Sequence, residues 1–152
     1  MVNDLYSEGN IIYFDPFYFP NGQSSAKPKY FLVLRNKGDD TILASLPTRG
    51  LLVPEDKSKS NGCIELSDIK INCFAICNKT VVTTCRKKFP IQTYIYGHKL
   101  EDYKMNMLLD VYRVDGVDYH FFGKMKPNLF NKLIKCLKQS STIKMKYLRM
   151  LD

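Results

Sequence analysis

The amino-acid sequence predicts a small α+β domain: a curled antiparallel sheet of short strands with an amphipathic helix packed on it near the C-terminus. Three observations carry that expectation. Short apolar runs rich in aromatic and β-branched residues recur along the chain, as in GNIIYFD (9–15), KYFLVLR (29–35) and TILASL (41–46). Segments rich in Gly, Pro, Asn and Asp separate them. One late segment, PNLFNKLIKCLKQ (127–139), has helical rather than strand spacing.

Taken in order, residues 9–15 form a strand, and 16–28, with three prolines, form a long loop anchored by aromatic residues. Residues 29–35 and 41–46 flank the turn NKGDD (36–40) and read as an antiparallel hairpin. A second long loop, 47–62, leads to strand-like segments near 63–67, 71–77, 79–84 and 89–97. Leu100, Tyr103, Met107 and Leu108 have a spacing that predicts a helix over 99–109. VYRVDGVDYHFF (111–122) reads as a hairpin about Asp115-Gly116. In 127–139, Pro127 suits a first helical position, and Leu129, Phe130, Leu133, Ile134 and Leu137 make the buried stripe. Ser140, Ser141 or Thr142 then caps a short last helix bearing Ile143, Tyr147, Leu148 and Leu151. Many short strands with a few long loops favour a small barrel.

The chain has 152 residues, 45% of them apolar and 25% charged, which is the composition of one globular domain, 1–152. That length buries a core without disulfide or metal staples. No apolar run approaches the roughly 18–20 residues of a membrane span. The N-terminal MVNDLYSEGN lacks a basic stretch followed by an apolar one, so the expected location is the cytoplasm, with no membrane partner.

The net charge is +8, and its placement is uneven. Residues 1–118 carry 15 Lys/Arg against 14 Asp/Glu, whereas 119–151 carry eight basic residues and no acid. Lys132, Lys135 and Lys138 lie on the polar side of the 127–139 helix. A field of this kind attracts polyanions or an acidic partner, although a solvated basic face has the same composition.

The five cysteines, Cys63, Cys73, Cys77, Cys85 and Cys136, include no CxxC pair, and neither His98 nor His120 lies close enough in sequence to complete a zinc set. Free, largely buried thiols are the expectation. The sequence contains no P-loop, GxGxxG, HExxH or GxSxG pattern, so neither a metal nor a cofactor is expected.

GNIIYFDP, the long loop, KPKYFLVL and TILASLPTRG resemble the opening of the MazF/PemK family of toxin endoribonucleases. The tail GKMKPNLFNKLIKCLKQS (123–140) is similar to that family's closing strand and last helix; together these cover about 60 of 152 residues. The resemblance implies an SH3-like barrel, a homodimer, single-stranded RNA as substrate and an acidic antitoxin protein as partner. It also implies metal-independent cleavage, in which the RNA 2′-OH attacks the adjacent phosphate and leaves a 2′,3′-cyclic phosphate. That chemistry needs proton transfer and positive charge beside the phosphate. By position, the family's arginine slot is Lys29, followed by Tyr30 instead of Pro, and Thr48 falls on the family's threonine. Lys keeps the charge and loses the planar fork, so Arg35 and Arg49 are candidate replacements. Phe17 and Tyr18 either stack RNA bases or pack internally. Lys27, Lys132, Lys135 and Lys138 are candidate RNA contacts. The alternative is a catalytically degraded barrel acting as an RNA- or protein-binding module.

Overall fold

The computed structural model describes residues 4–17, 27–46, 62–66, 71–90, 92–97, 100–140 and 143–151. They form a mixed α+β fold of eight strands and three α-helices, with a 3-10 turn at Asp4–Tyr6. The strands are β1 (Asn10–Phe17), β2 (Lys27–Lys37), β3 (Asp40–Ser45), β4 (Gly62–Leu66), β5 (Ile71–Ile76), β6 (Thr93–Tyr96), β7 (Leu100–Lys104) and β8 (Tyr119–Lys124). The helices are α1 (Met105–Val111), α2 (Pro127–Lys138) and α3 (Met145–Leu151). None of them is long and apolar enough to cross a membrane.

All ladders are antiparallel. They build two sheets, one ordered β7-β3-β2-β1-β8 and one ordered β4-β5-β6. The larger sheet keeps β7 and β8 as its edges, so the described ladders do not close into a barrel.

Side chains of the larger sheet alternate between two apolar clusters. Ile11, Leu32, Leu34, Ile42 and Ala44 face a core shared with α2, α3 and the smaller sheet. Ile12, Phe14, Phe31, Val33 and Leu43 face a second core closed by Tyr6 and by Leu108 of α1. Both faces are covered, which is why IIYF, FLVL and TILA read as continuous apolar runs.

That two-sided burial also explains why the helix expected over 99–109 begins only at Met105. Leu100 and Tyr103 share a face in a helix, but in β7 they lie on opposite faces, one in each core. The first arm of the expected 111–122 hairpin is likewise absent, because Val111 ends α1. Asp118 Oδ2 instead accepts from the Arg113 and Val114 N–H groups (3.0 and 2.8 Å), and the resulting turn feeds β8.

Residues 79–84 make no ladder. They run beside the end of β8, with Thr84 N–H donating to Lys124 O at 2.9 Å and Lys126 N–H to Val82 O at 2.8 Å. Gly123 permits that approach, since a Cβ there would sit 2.8 Å from Thr83 Cγ2.

Helix α2 has proline in its first turn, buries Leu133, Ile134, Cys136 and Leu137, and exposes Lys132, Lys135 and Lys138. The cysteine expectation needs correction. Cys63 of β4 and Cys136 of α2 form a disulfide with Cα atoms 5.6 Å apart, while Cys73, Cys77 and Cys85 remain thiols. The two partners are 73 residues apart in sequence, and folding β4 against α2 is what brings them together.

Candidate functional site

One cleft can be built from the strand registers. Ser45 of β3 pairs with Phe31 of β2, and Leu100 of β7 pairs with Ala44 of β3. This brings Lys29, Ser45, Glu101 and Asp102 to one end of the sheet. Helix α3 and the residue before it complete the walls with Lys144, Lys146 and Tyr147, enclosing a cleft of about 550 Å³.

Its interactions are specific. Tyr147 Oη donates to Asp102 Oδ1 at 2.7 Å, and Lys146 Nζ lies 3.0 Å from the same oxygen. Tyr103 Oη donates to Glu101 Oε2 at 3.1 Å. The Tyr147 hydrogen bond and the neighbouring Lys146 hold the Asp102 carboxyl below its ordinary value, against an opposing burial effect. Burial, reinforced by Asp102, pushes the Tyr147 phenol well above its ordinary value. Burial first, and then Glu101, does the same to Tyr103. At neutral pH the cleft therefore holds the ionised Asp102 carboxylate and two protonated phenols, beside Glu101 and three lysines. Asp102 is displaced away from a useful proton acceptor and Tyr147 away from a useful donor, so these groups position a ligand better than they move protons.

A smaller cleft of about 290 Å³ lies along α2, lined by Arg35, Phe130, Ile134, Lys135, Lys138 and Gln139. Arg35 itself is committed to the fold. Its Nη1 makes an ion pair with Glu8 Oε1 at 3.1 Å, and its Nη2 donates to Leu151 O at 3.1 Å.

The residues singled out from sequence thus separate. Lys29 lies in the larger cleft. Lys135 and Lys138 line the smaller one, and Lys132 is exposed on the same helix. Phe17 is buried, its ring stacked on Tyr112 at 5.4 Å and 4.6 Å from Phe31, so it packs the core and offers no platform for a base. Tyr18, Thr48 and Arg49 lie outside the described residues, as does the Lys27 side chain. Among the described residues no group of three or more His, Cys, Asp or Glu side chains is arranged to hold a metal ion.

Sequence reasoning passed over Asp102, Lys144, Lys146 and Tyr147 as site residues. The one available signal was KMKY at 144–147, where two cations bracket a methionine before an aromatic ring. Both lysines do reach that ring, with Nζ atoms 5.9 and 5.1 Å from its centroid. No family model, curated protein or solved structure matches this chain.

Proposed function

We propose that this protein binds single-stranded RNA over a surface running from the Lys29–Lys144–Lys146 cleft to the exposed lysines of α2. The observation that carries the reading is the convergence of Lys29, from the first third of the chain, with Lys144 and Lys146, from its end, on one cleft. Phosphates neutralised there release counterions, and the carboxylates of Glu101 and Asp102 offer acceptors to base amino groups or a 2′-OH.

Fluorescence anisotropy with a labelled mixed-sequence RNA tests it. Phosphate contacts at the three cleft lysines alone, on a single strand, predict at least about a 10–20-fold loss of affinity between 50 and 200 mM salt. Lys29→Ala with Lys144→Ala should weaken binding and flatten that salt slope. Salt-independent binding, or an unchanged slope in the double variant, overturns the reading.

A second reading, RNA cleavage of the MazF/PemK type, is favoured by one observation. Lys29, in the family's arginine slot, lines this cleft, and the Leu46 N–H beside it donates to Tyr30 O at 3.1 Å, two residues before Thr48. On this reading the two sheets correspond to an SH3-like barrel, the chain forms a homodimer, and an acidic antitoxin covers the α2 cleft. Cleavage should then persist in excess EDTA and leave 2′,3′-cyclic phosphate ends. Thr48→Ala and Lys29→Ala should each slow it by about 10²–10³. Intact RNA on several mixed substrates that the protein binds would leave the binding module alone.

A further inference from the structure

Among the described residues, six large apolar side chains are exposed, and five fall within one stretch of thirteen residues: Leu109, Val111, Val114, Val117 and Phe121. Val114 is 51% exposed and Val117 is 66% exposed. The stretch runs from the end of α1 through the turn into β8. The turn is tight, with the Val117 and Asp118 N–H groups donating to Val114 O at 3.1 and 2.8 Å. Phe121 pairs with Ile12, so it stands on the same sheet face as the Tyr6 core and α1. The Val114–Val117 turn joins the start of β8 through the Gly116 N–H, which donates to Tyr119 O at 2.8 Å, so Val114, Val117 and Phe121 lie along the β8 edge, with Val111 leading into the turn. Apolar side chains left to water along one edge mark an interaction site.

Charge names the occupant. Asp110, Asp115 and Asp118 border the patch against a single Arg113, which pairs with Asp110 at 3.6 Å. Patch-on-patch pairing of two copies would press these aspartates against one another, so the occupant is basic with an apolar tip. The chain itself carries such an element. Met145, the sixth exposed apolar residue at 60%, stands between Lys144 and Lys146 at the start of α3.

It cannot reach the patch of its own molecule. Lys146 and Tyr147 are held by Asp102 on β7, while the patch adjoins β8, the opposite edge of the five-stranded sheet. We infer that this face docks a second copy head-to-tail, Met145 of one molecule entering the Val111–Val114–Val117 patch of the next, with Lys144 facing its aspartates. Such a contact is heterologous, and it grows into chains or closes into a ring.

Sedimentation velocity on the full chain at rising concentration and low salt tests this. The wild-type protein should associate past the dimer and dissociate as salt is raised. A patch variant, Val114→Ser with Val117→Ser, and a tail variant, Met145→Ser with Lys144→Glu, should each associate about tenfold more weakly or stay monomeric. All four positions are exposed, and circular dichroism checks that both variants fold. Mixing the two variants should restore a discrete one-to-one species, because one intact patch still meets one intact tail and growth stops there. A wild-type monomer at every concentration, undiminished association of either variant, or a mixture without the one-to-one species overturns the inference.

Discussion

Tyr147 ties the C-terminal helix to the edge of the sheet: its phenol donates to Asp102 Oδ1 at 2.7 Å, and Lys146 approaches the same oxygen at 3.0 Å. Asp102 titrates below its ordinary value in the folded chain because it accepts these contacts. Between that lowered value and the unfolded value near 3.9, the unfolded chain binds more protons. The contribution is therefore fully present above the unfolded value and is lost as pH falls through the folded one. Melting temperature should drop below about pH 4, and Tyr147→Phe should blunt that drop. At neutral pH the same substitution should cost about 1 kcal/mol, a modest figure because Asp102 is partly exposed.

Tyr6 illustrates the opposite case. Its hydroxyl is buried with no hydrogen-bond partner. Burial is the first cause of its raised pKa, followed by Tyr119 and Tyr112. A buried hydroxyl without a partner carries a desolvation cost of about 1–3 kcal/mol. Tyr6→Phe should leave stability unchanged or raise it, read as the midpoint of urea unfolding. Because the folded phenol stays protonated after its unfolded counterpart ionises near pH 10, the wild type loses stability as pH rises beyond that point, and Tyr6→Phe should lose less.

The Cys63–Cys136 bond joins β4 to α2 across a sequence separation of 73 residues that contains β5 to β8 and α1. Reduction should cost about 2–4 kcal/mol, the range for loops of this kind. Cys63 is exposed, so Cys63→Ala isolates the bond from packing. The variant should melt like the reduced wild type and show no further shift with dithiothreitol. Equal melting of oxidised and reduced wild type would remove the bond from the fold's stability.

Leu133 is fully buried in α2, at 0% exposure, as its place in the sequence stripe predicts. Leu133→Ala should cost about 2–5 kcal/mol by chemical denaturation, whereas Lys132→Ala one residue away should fall within about 0.5 kcal/mol.

Helix α2 and the strands β1 to β3 were legible because their burial is written locally: a 3.6-residue stripe in one, unbroken apolar runs in the others. Leu100 and Tyr103 misled because a three-residue spacing marks one face of a helix and both faces of a doubly covered strand. Cys63 and Cys136 were not legible as a pair, since nothing in a cysteine's own neighbours states which distant partner folding brings near. The cleft was half legible. Lys29 stood out through the MazF/PemK resemblance, but Asp102 and Tyr147 acquire their meaning only when β7 and α3 meet.

Lys29 and Arg35 lie toward opposite ends of β2 and were both candidates for the cation beside a phosphate; they line different clefts. Arg35 spends its guanidinium on Glu8 and on the Leu151 carbonyl, linking the N-terminal segment to the end of α3. Its side chain is 23% exposed, so Arg35→Ala leaves a partly buried carbonyl and a carboxylate without their donor. A cost of about 1.5–3 kcal/mol is expected by urea unfolding. RNA affinity, measured where the variant is fully folded, should change less than about twofold, well under the tenfold that 1.4 kcal/mol represents. Lys29 half-faces the large cleft beside Lys144 and Lys146. Lys29→Ala should cost less than about 1 kcal/mol of stability, as substitutions outside the core usually do, while weakening RNA binding and lowering the salt slope by about one phosphate contact. The reverse pattern, with Arg35→Ala abolishing binding in a stable protein and Lys29→Ala leaving it intact, would favour the α2 cleft over the large cleft as the proposed RNA site.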